Sequence, residues 1–161
     1  MLILNKFPTH VAKTDNKYKV NTYWKINSQG IYNSTIQKFT RGIVMDNIHK
    51  YIIGELSAQE LPKITGTVQL VLRIYIPINY STVRRNASGI TSWSKPPKGY
   101  LPNNDEDNIR WIWEKSIKDC LTKLGVWEDD NLTFCRGTDS LVHFVEELDD
   151  RRIEISFKEL Q

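Results

Sequence analysis

The chain has 161 residues, is 40% hydrophobic and 25% charged, and carries a formal net charge of +3. That length and balance suit one soluble domain with an adequate core. The apolar start Met1–Phe7 is too short for a signal peptide and no segment is long enough to span a membrane, so a cytosolic protein is expected.

The small net charge hides a division. Residues 1–100 hold 14 Lys/Arg against 4 Asp/Glu, and residues 101–161 hold 8 against 15. A basic part joined to an acidic part suits a phosphate-binding surface beside a carboxylate cluster. Cys120 and Cys135 do not form a metal motif, and His10, His49 and His143 are scattered, so zinc and histidine-metal chemistry are not indicated. Both thiols are expected to be buried and reduced. Gly-rich phosphate loops and a Gly-x-Ser-x-Gly elbow are absent from the sequence.

In chain order, Leu2–Phe7 reads as a short strand ended by Pro8. From His10 to Lys25, Lys13, Lys17, Lys19 and Lys25 alternate with Tyr18, Tyr23 and Trp24. Cations with flat rings suit a nucleic-acid backbone and unstacked bases, and a polar hairpin with its rings inward would give the same pattern. Ser34 caps a helix expected to run to about Ile53, burying Ile36, Phe39, Ile43, Val44, Ile48, Tyr51 and Ile52, with Gly54 as its stop. Val68–Ile76 is the strongest strand, a nearly continuous apolar run that Pro77 ends. Residues 78–104 form a long basic segment with Arg84, Arg85, Lys95 and Lys98 among Tyr80, Trp93 and Tyr100, the marks of a binding loop or of disorder.

Asp105-Glu106-Asp107-Asn108 follows directly. Ile109, Ile112, Trp113, Ile117, Cys120, Leu121 and Leu124 then recur at helical spacing, and Gly125 fits the left-handed position past a helix end. Trp127-Glu128-Asp129-Asp130 comes next. A chain that turned back along a sheet there could bring both carboxylate pairs to one edge, where a hard divalent cation would relieve their repulsion. Taken singly, Asp105 or Asp107 reads better as a helix cap and Asp129-Asp130 as a turn, and the residues between them change that balance.

The ordered string Asp-x-Asp-Asn, amphipathic helix, Leu121-Thr122-Lys123-x-Gly125-x-Trp127-x-Asp129-Asp130 resembles the RusA family of Holliday-junction resolvases, over about the 26 residues 105–130. The resemblance implies a homodimeric, Mg2+-dependent endonuclease, with Mn2+ as a substitute ion, and puts the catalytic aspartates on Asp105, Asp107 and Asp130. The family's lysine position, counted from the aspartates, is Trp111; counted back from the Gly-x-Trp end it is Lys115, with Arg110 as rival. Asn21-x-Tyr23 loosely resembles the family's amino-terminal Asn segment. The implied DNA-binding set is Lys13, Lys17, Lys19, Asn21, Arg84, Arg85, Lys95, Lys98 and Arg110. A non-catalytic DNA-binding module, or a nuclease preferring flaps or forks, is the alternative.

After Asp130, Leu132–Arg136 and Ser140–Glu147 read as two strands, Asp149-Asp150 as a turn and Arg152–Phe157 as a strand with Ile153, Ile155 and Phe157 inward. The order β-α-β-α-β-β predicts a single α/β domain over 1–161, a mixed sheet with two main helices packed on one face.

Overall fold

Val68–Pro77 alternates buried and half-buried positions over ten residues, and the sheet is built outward from this strand. The computed structural model describes residues 1–8, 10–12, 23–25, 38–77, 82–85, 91–94 and 106–161. In chain order the elements are β1 (Leu2–Asn5), β2 (His10–Ala12), β3 (Tyr23–Lys25), α1 (Lys38–Ser57), β4 (Val68–Pro77), β5 (Thr82–Arg85), β6 (Thr91–Ser94), α2 (Glu106–Lys123), β7 (Cys135–Val145) and β8 (Arg152–Glu159). A 3-10 turn, Leu148–Asp150, leads into β8 where the sequence places a turn.

The main sheet has the order β1-β8-β4-β7. β8 runs antiparallel to both β1 and β4, while β7 runs parallel to β4. A parallel pair needs a crossover, and α2 supplies it. Register brings Leu72 opposite Ile155 and Ser140, and Ile74 opposite Ile153 and Val142. One face therefore carries the apolar set and receives Val44, Ile48, Ile52 and Leu56 of α1 with Ile112, Trp113, Ile117 and Leu121 of α2. Trp113 is almost fully buried and meets Phe7 and Tyr51 edge-on at 5.4 and 6.3 Å. The predicted mixed sheet with two helices on one face is what the chain forms.

The other face of the sheet is polar. Arg73 donates to Asp139 Oδ2 at 3.0 Å. Tyr75 lies between the Arg152 guanidinium, 3.8 Å from its ring centroid, and the His143 ring, stacked at 5.0 Å. Tyr75 also donates to Glu154 at 3.2 Å.

Three boundaries depart from expectation. Helix α1 continues through Gly54 to Ser57 because Leu56 extends the buried row Ile48, Ile52, while Gly54 falls on the exposed side. Past its end, Gln59 accepts from Ile3 N–H at 2.9 Å and donates to Ile3 C=O at 2.6 Å, closing the outer edge of β1. The two strands expected around Leu132–Glu147 are one strand, β7, with Gly137 at φ +84° beside a register shift between Val68 and Leu70. Leu132–Phe134 is a turn instead: Asn131 accepts Thr133 N–H through its side chain and Phe134 and Cys135 N–H through its carbonyl, so the local hydrogen bonds defeat the strand pattern.

The long segment 78–104 contains an antiparallel pair, β5 with β6, placing Arg84 opposite Ser92 and Arg85 opposite Thr91. In the amino-terminal basic stretch, β2 pairs antiparallel with β3, Val11 lying opposite Trp24. Among the described residues no helix is long and apolar enough to cross a membrane.

Candidate functional site on helix α2

Helix α2 opens with Glu106 and Asp107 and ends with Lys123, the arrangement its dipole favours. Its far end is a Schellman closure. Val126 N–H donates to Leu121 C=O and Gly125 N–H to Thr122 C=O, both at 3.0 Å, with Gly125 at φ +71°. Trp127 then turns inward, 2% exposed, donating from its indole to Thr122 Oγ1 at 2.7 Å and meeting Phe157 edge-on. The Gly-x-Trp step thus has a packing role that directs the next residues outward. Asp129 accepts from Asp130 N–H and from Asn131 Nδ2, which leaves the exposed Asp130 carboxylate to face solvent.

At the amino end, Arg110 binds three carboxylates. Its Nη1 is 3.3 Å from Glu106 Oε1 and 3.9 Å from Asp107 Oδ1, and its Nε is 3.8 Å from Glu114 Oε1. Glu114 in turn accepts a short hydrogen bond from Ser140 of β7. Neither Glu114 nor Ser140 was singled out from sequence. The signal was present, since Asp107, Arg110 and Glu114 are spaced i, i+3, i+7 along one helix face.

Lys115 lies elsewhere. Its Nζ is 3.6 Å from Asp119 Oδ2, on the flank that faces α1. There Lys123 Nζ is 3.0 Å from His49 Nδ1, and Asp119 Oδ2 is 3.7 Å from His49 Nε2. Burial, then the Lys123 charge, hold the His49 imidazole below its ordinary pKa, with Asp119 opposing. Arg110 is accordingly the cation beside Asp107.

The Glu114–Ser140 bond sets how α2 lies on β7. Asp107, seven residues earlier, falls toward the Val145 end; Lys118, four residues later, falls toward the Cys135 end. Burial raises the Cys135 thiol pKa, Lys118 lowers it and Asp130 raises it, so Asp130 stands at the Cys135 end too. From Asp107 to Lys118 is about 16 Å at 1.5 Å per residue. Carboxylates that share one ion each lie within about 2.6 Å of it. Asp107 and Asp130 are thereby set toward opposite ends of β7, while Asp105, the other member of the first pair, lies outside the described residues. The reason is topological: β7 returns parallel to β4, so the turn before it sits at the opposite end of the sheet from the start of α2.

Among the described residues no three His, Cys, Asp or Glu side chains gather as a metal group. Asp105, Lys13, Lys17, Lys19, Asn21, Lys95 and Lys98 lie outside the described residues, and for Arg84 and Arg85 the backbone alone is described. Cys120 and Cys135 are free and buried, as expected, and burial pushes the Cys120 thiol up to about 12. Comparison with protein-family models, curated proteins and solved structures finds no match to this chain. The resemblance drawn from residues 105–130 therefore stands on those residues alone.

Proposed function

We propose that the protein is a divalent-metal-dependent endonuclease of RusA type that cuts branched DNA as a homodimer. The observation that carries the reading is the two-ended organisation of α2: an acidic start with Arg110 against Asp107, and a Schellman closure followed by an inward Trp127 and an outward Asp130. The packing gives the Gly-x-Trp step a structural purpose, and leaves the purpose of the exposed aspartate open for chemistry.

The candidate ligands Asp105, Asp107 and Asp130 are all hard oxygen donors, which fits Mg2+, or Mn2+ in its place. When bound, such an ion polarises a phosphate and lowers the pKa of a coordinated water. Within the chain, Arg110 would hold a phosphate oxygen through its fork of donors, and Glu106 and Glu114 would aim that fork. An antiparallel second chain brings its own Cys135 end beside the Asp107 end of the first. The homodimer thereby unites carboxylates that one chain keeps apart, and a two-fold junction receives two matching sites.

One observation favours a non-catalytic DNA-binding module instead: Asp107 and Asp129 are each engaged by neighbours, as helix-end and turn residues ordinarily are. Incubating a labelled four-way junction, a flap and a linear duplex with and without Mg2+ decides between them. Symmetric Mg2+-dependent nicks in the junction support the proposal. Binding with no nicking in the presence of Mg2+ rejects it, and preferential flap cleavage redirects it to a related nuclease.

A further inference from the structure

Helices α1 and α2 share a cluster of charged side chains on the flank away from Arg110 and Glu114. Lys123 Nζ stands 3.0 Å from His49 Nδ1. Asp119 Oδ2 is 3.7 Å from His49 Nε2 and 3.6 Å from Lys115 Nζ. An ammonium has hydrogen-bond donors and no acceptor, so the imidazole must offer Nδ1 as a lone pair and carry its proton on Nε2. That choice leaves Nε2 buried and without a hydrogen-bond acceptor among the described residues, because Asp119 is just too far away. The charged groups acting on the ring are Lys123, Asp119 and Lys115 of α2, and Asp46 one turn earlier on α1. Burial and the two lysines favour the neutral ring, while Asp119 and Asp46 favour the charged one. The Cys120 thiol donates to the His49 carbonyl at 3.8 Å, which ties the His49 backbone to α2 independently of the ring.

We infer that His49 and Lys123 form a proton-operated latch between α1 and α2: the neutral imidazole holds the Lys123 ammonium, and a proton taken up at Nδ1 expels Lys123 and draws Nε2–H to Asp119. The proton comes from solvent, and the N–H bond formed at Nδ1 is the only covalent change. Two cations then repel where a hydrogen bond stood, and the unpartnered Nε2 gains a carboxylate, so both halves of the movement follow from one proton. Lys123 is exposed, which gives its side chain room to leave. It is also the last residue of α2. Directly after it, Leu124 N–H donates to Cys120 C=O and Gly125 N–H to Thr122 C=O. Releasing Lys123 therefore removes a tie between α1 and the turn that closes α2 and leads to Trp127. The latch works in the same way whether or not the chain cuts DNA.

The test is an NMR titration of the full chain, without DNA or metal, from about pH 8 down to about pH 4.5, a range that brackets the ordinary histidine pKa. At the alkaline end the His49 ring nitrogens are expected to report the Nε2–H tautomer. On acidification the Lys123 side-chain resonances are expected to shift with the His49 midpoint. Protection of the Leu124 and Gly125 amides against exchange is expected to fall roughly tenfold, because opening that raises the ring pKa by one unit is favoured tenfold once the ring is protonated. Lys123→Met removes a charge at 3.0 Å, worth about one pH unit even in a water-like dielectric, so the His49 midpoint is expected to rise by that much. In the same variant the acid-induced loss of amide protection is expected to vanish. Asp119→Asn is expected to move the midpoint the other way. Both substitutions alter side chains outside the apolar core, so the fold should persist. An Nδ1–H tautomer at the alkaline end, Lys123 resonances or amide protection that ignore the His49 midpoint, or a midpoint unchanged by Lys123→Met overturns the latch and leaves His49 a packed histidine.

Discussion

Arg110 and Lys115 were rivals on sequence, and their surroundings separate them. Lys115 is tied to Asp119 on the α1 side, while Arg110 reaches the acidic end of α2. If Arg110 steadies charge on the scissile phosphate, Arg110→Ala should lower the single-turnover cleavage rate by about 100- to 1000-fold, the usual cost of one transition-state donor. Lys115→Ala should stay within a few-fold. Equal losses, or the opposite ranking measured on the same junction, would return the role to the lysine. Asp107→Asn and Asp130→Asn should each abolish nicking and leave junction binding equal or tighter, because a lost ligand charge also removes repulsion of phosphate. Retention of wild-type nicking in either one excludes that residue from the site.

His49 supplies a residue-scale prediction about stability. Its folded pKa lies below the ordinary 6.5, first through burial and second through Lys123. The unfolded chain therefore takes up its proton at higher pH than the folded one. Stability from this group is complete above about pH 6.5 and is lost as pH falls below that value toward the depressed folded pKa. Urea midpoints measured from pH 7.5 down to 5 should decline, and His49→Gln should flatten the decline. An unchanged slope in that variant assigns the acid sensitivity to other groups.

At the scale of elements, two glycines that look alike in sequence behave oppositely. Gly54 has a helical neighbourhood, is exposed, and leaves open space where a Cβ would project. Gly54→Ala should stabilise by about 0.5–1 kcal/mol, since alanine loses less backbone entropy in a helix. Gly125 has the same open space but a φ of +71°. Gly125→Ala should cost about 1–2 kcal/mol, the penalty of a Cβ in the left-handed region. Chemical denaturation of both variants checks the pair, and a destabilised Gly54→Ala would show that α1 needs its glycine for something besides backbone freedom. The helix stop expected at Gly54 was misread for the same reason: glycine ends a helix where the chain turns left-handed, and Leu56 was still a core residue one turn further on.

At the scale of the whole molecule, the parallel return of β7 decides how any acidic site is assembled. If Asp107 and Asp130 act across two chains, mixing Asp107→Asn with Asp130→Asn protein after joint unfolding and refolding should restore nicking. Each heterodimer then holds one intact pair and one doubly altered pair. Statistical mixing makes half the dimers heterodimers, so activity near a quarter of wild type is expected, counting sites. No recovery would mean that each chain carries its own complete set, or that the two residues do not share a site.

Much of this was legible in the chain itself, and the limit falls at a definite physical place. The span of α2, its Gly125 closure, the strand Val68–Pro77 and the inward Ile153 and Ile155 follow from local periodicity and backbone preference, which the chain determines within a few residues. So did the acidic and basic division and the two-helix mixed sheet. The fusion of two expected strands into β7, the bond between Glu114 and Ser140, and the separation of Asp107 from Asp130 came only from the tertiary structure. Each depends on which strand β7 lies beside and in which direction, a choice made by burial of the whole apolar face. Spacing along the chain records how far apart two carboxylates are in sequence; only the direction of the strand between them says whether they stand at one end of the sheet or at both.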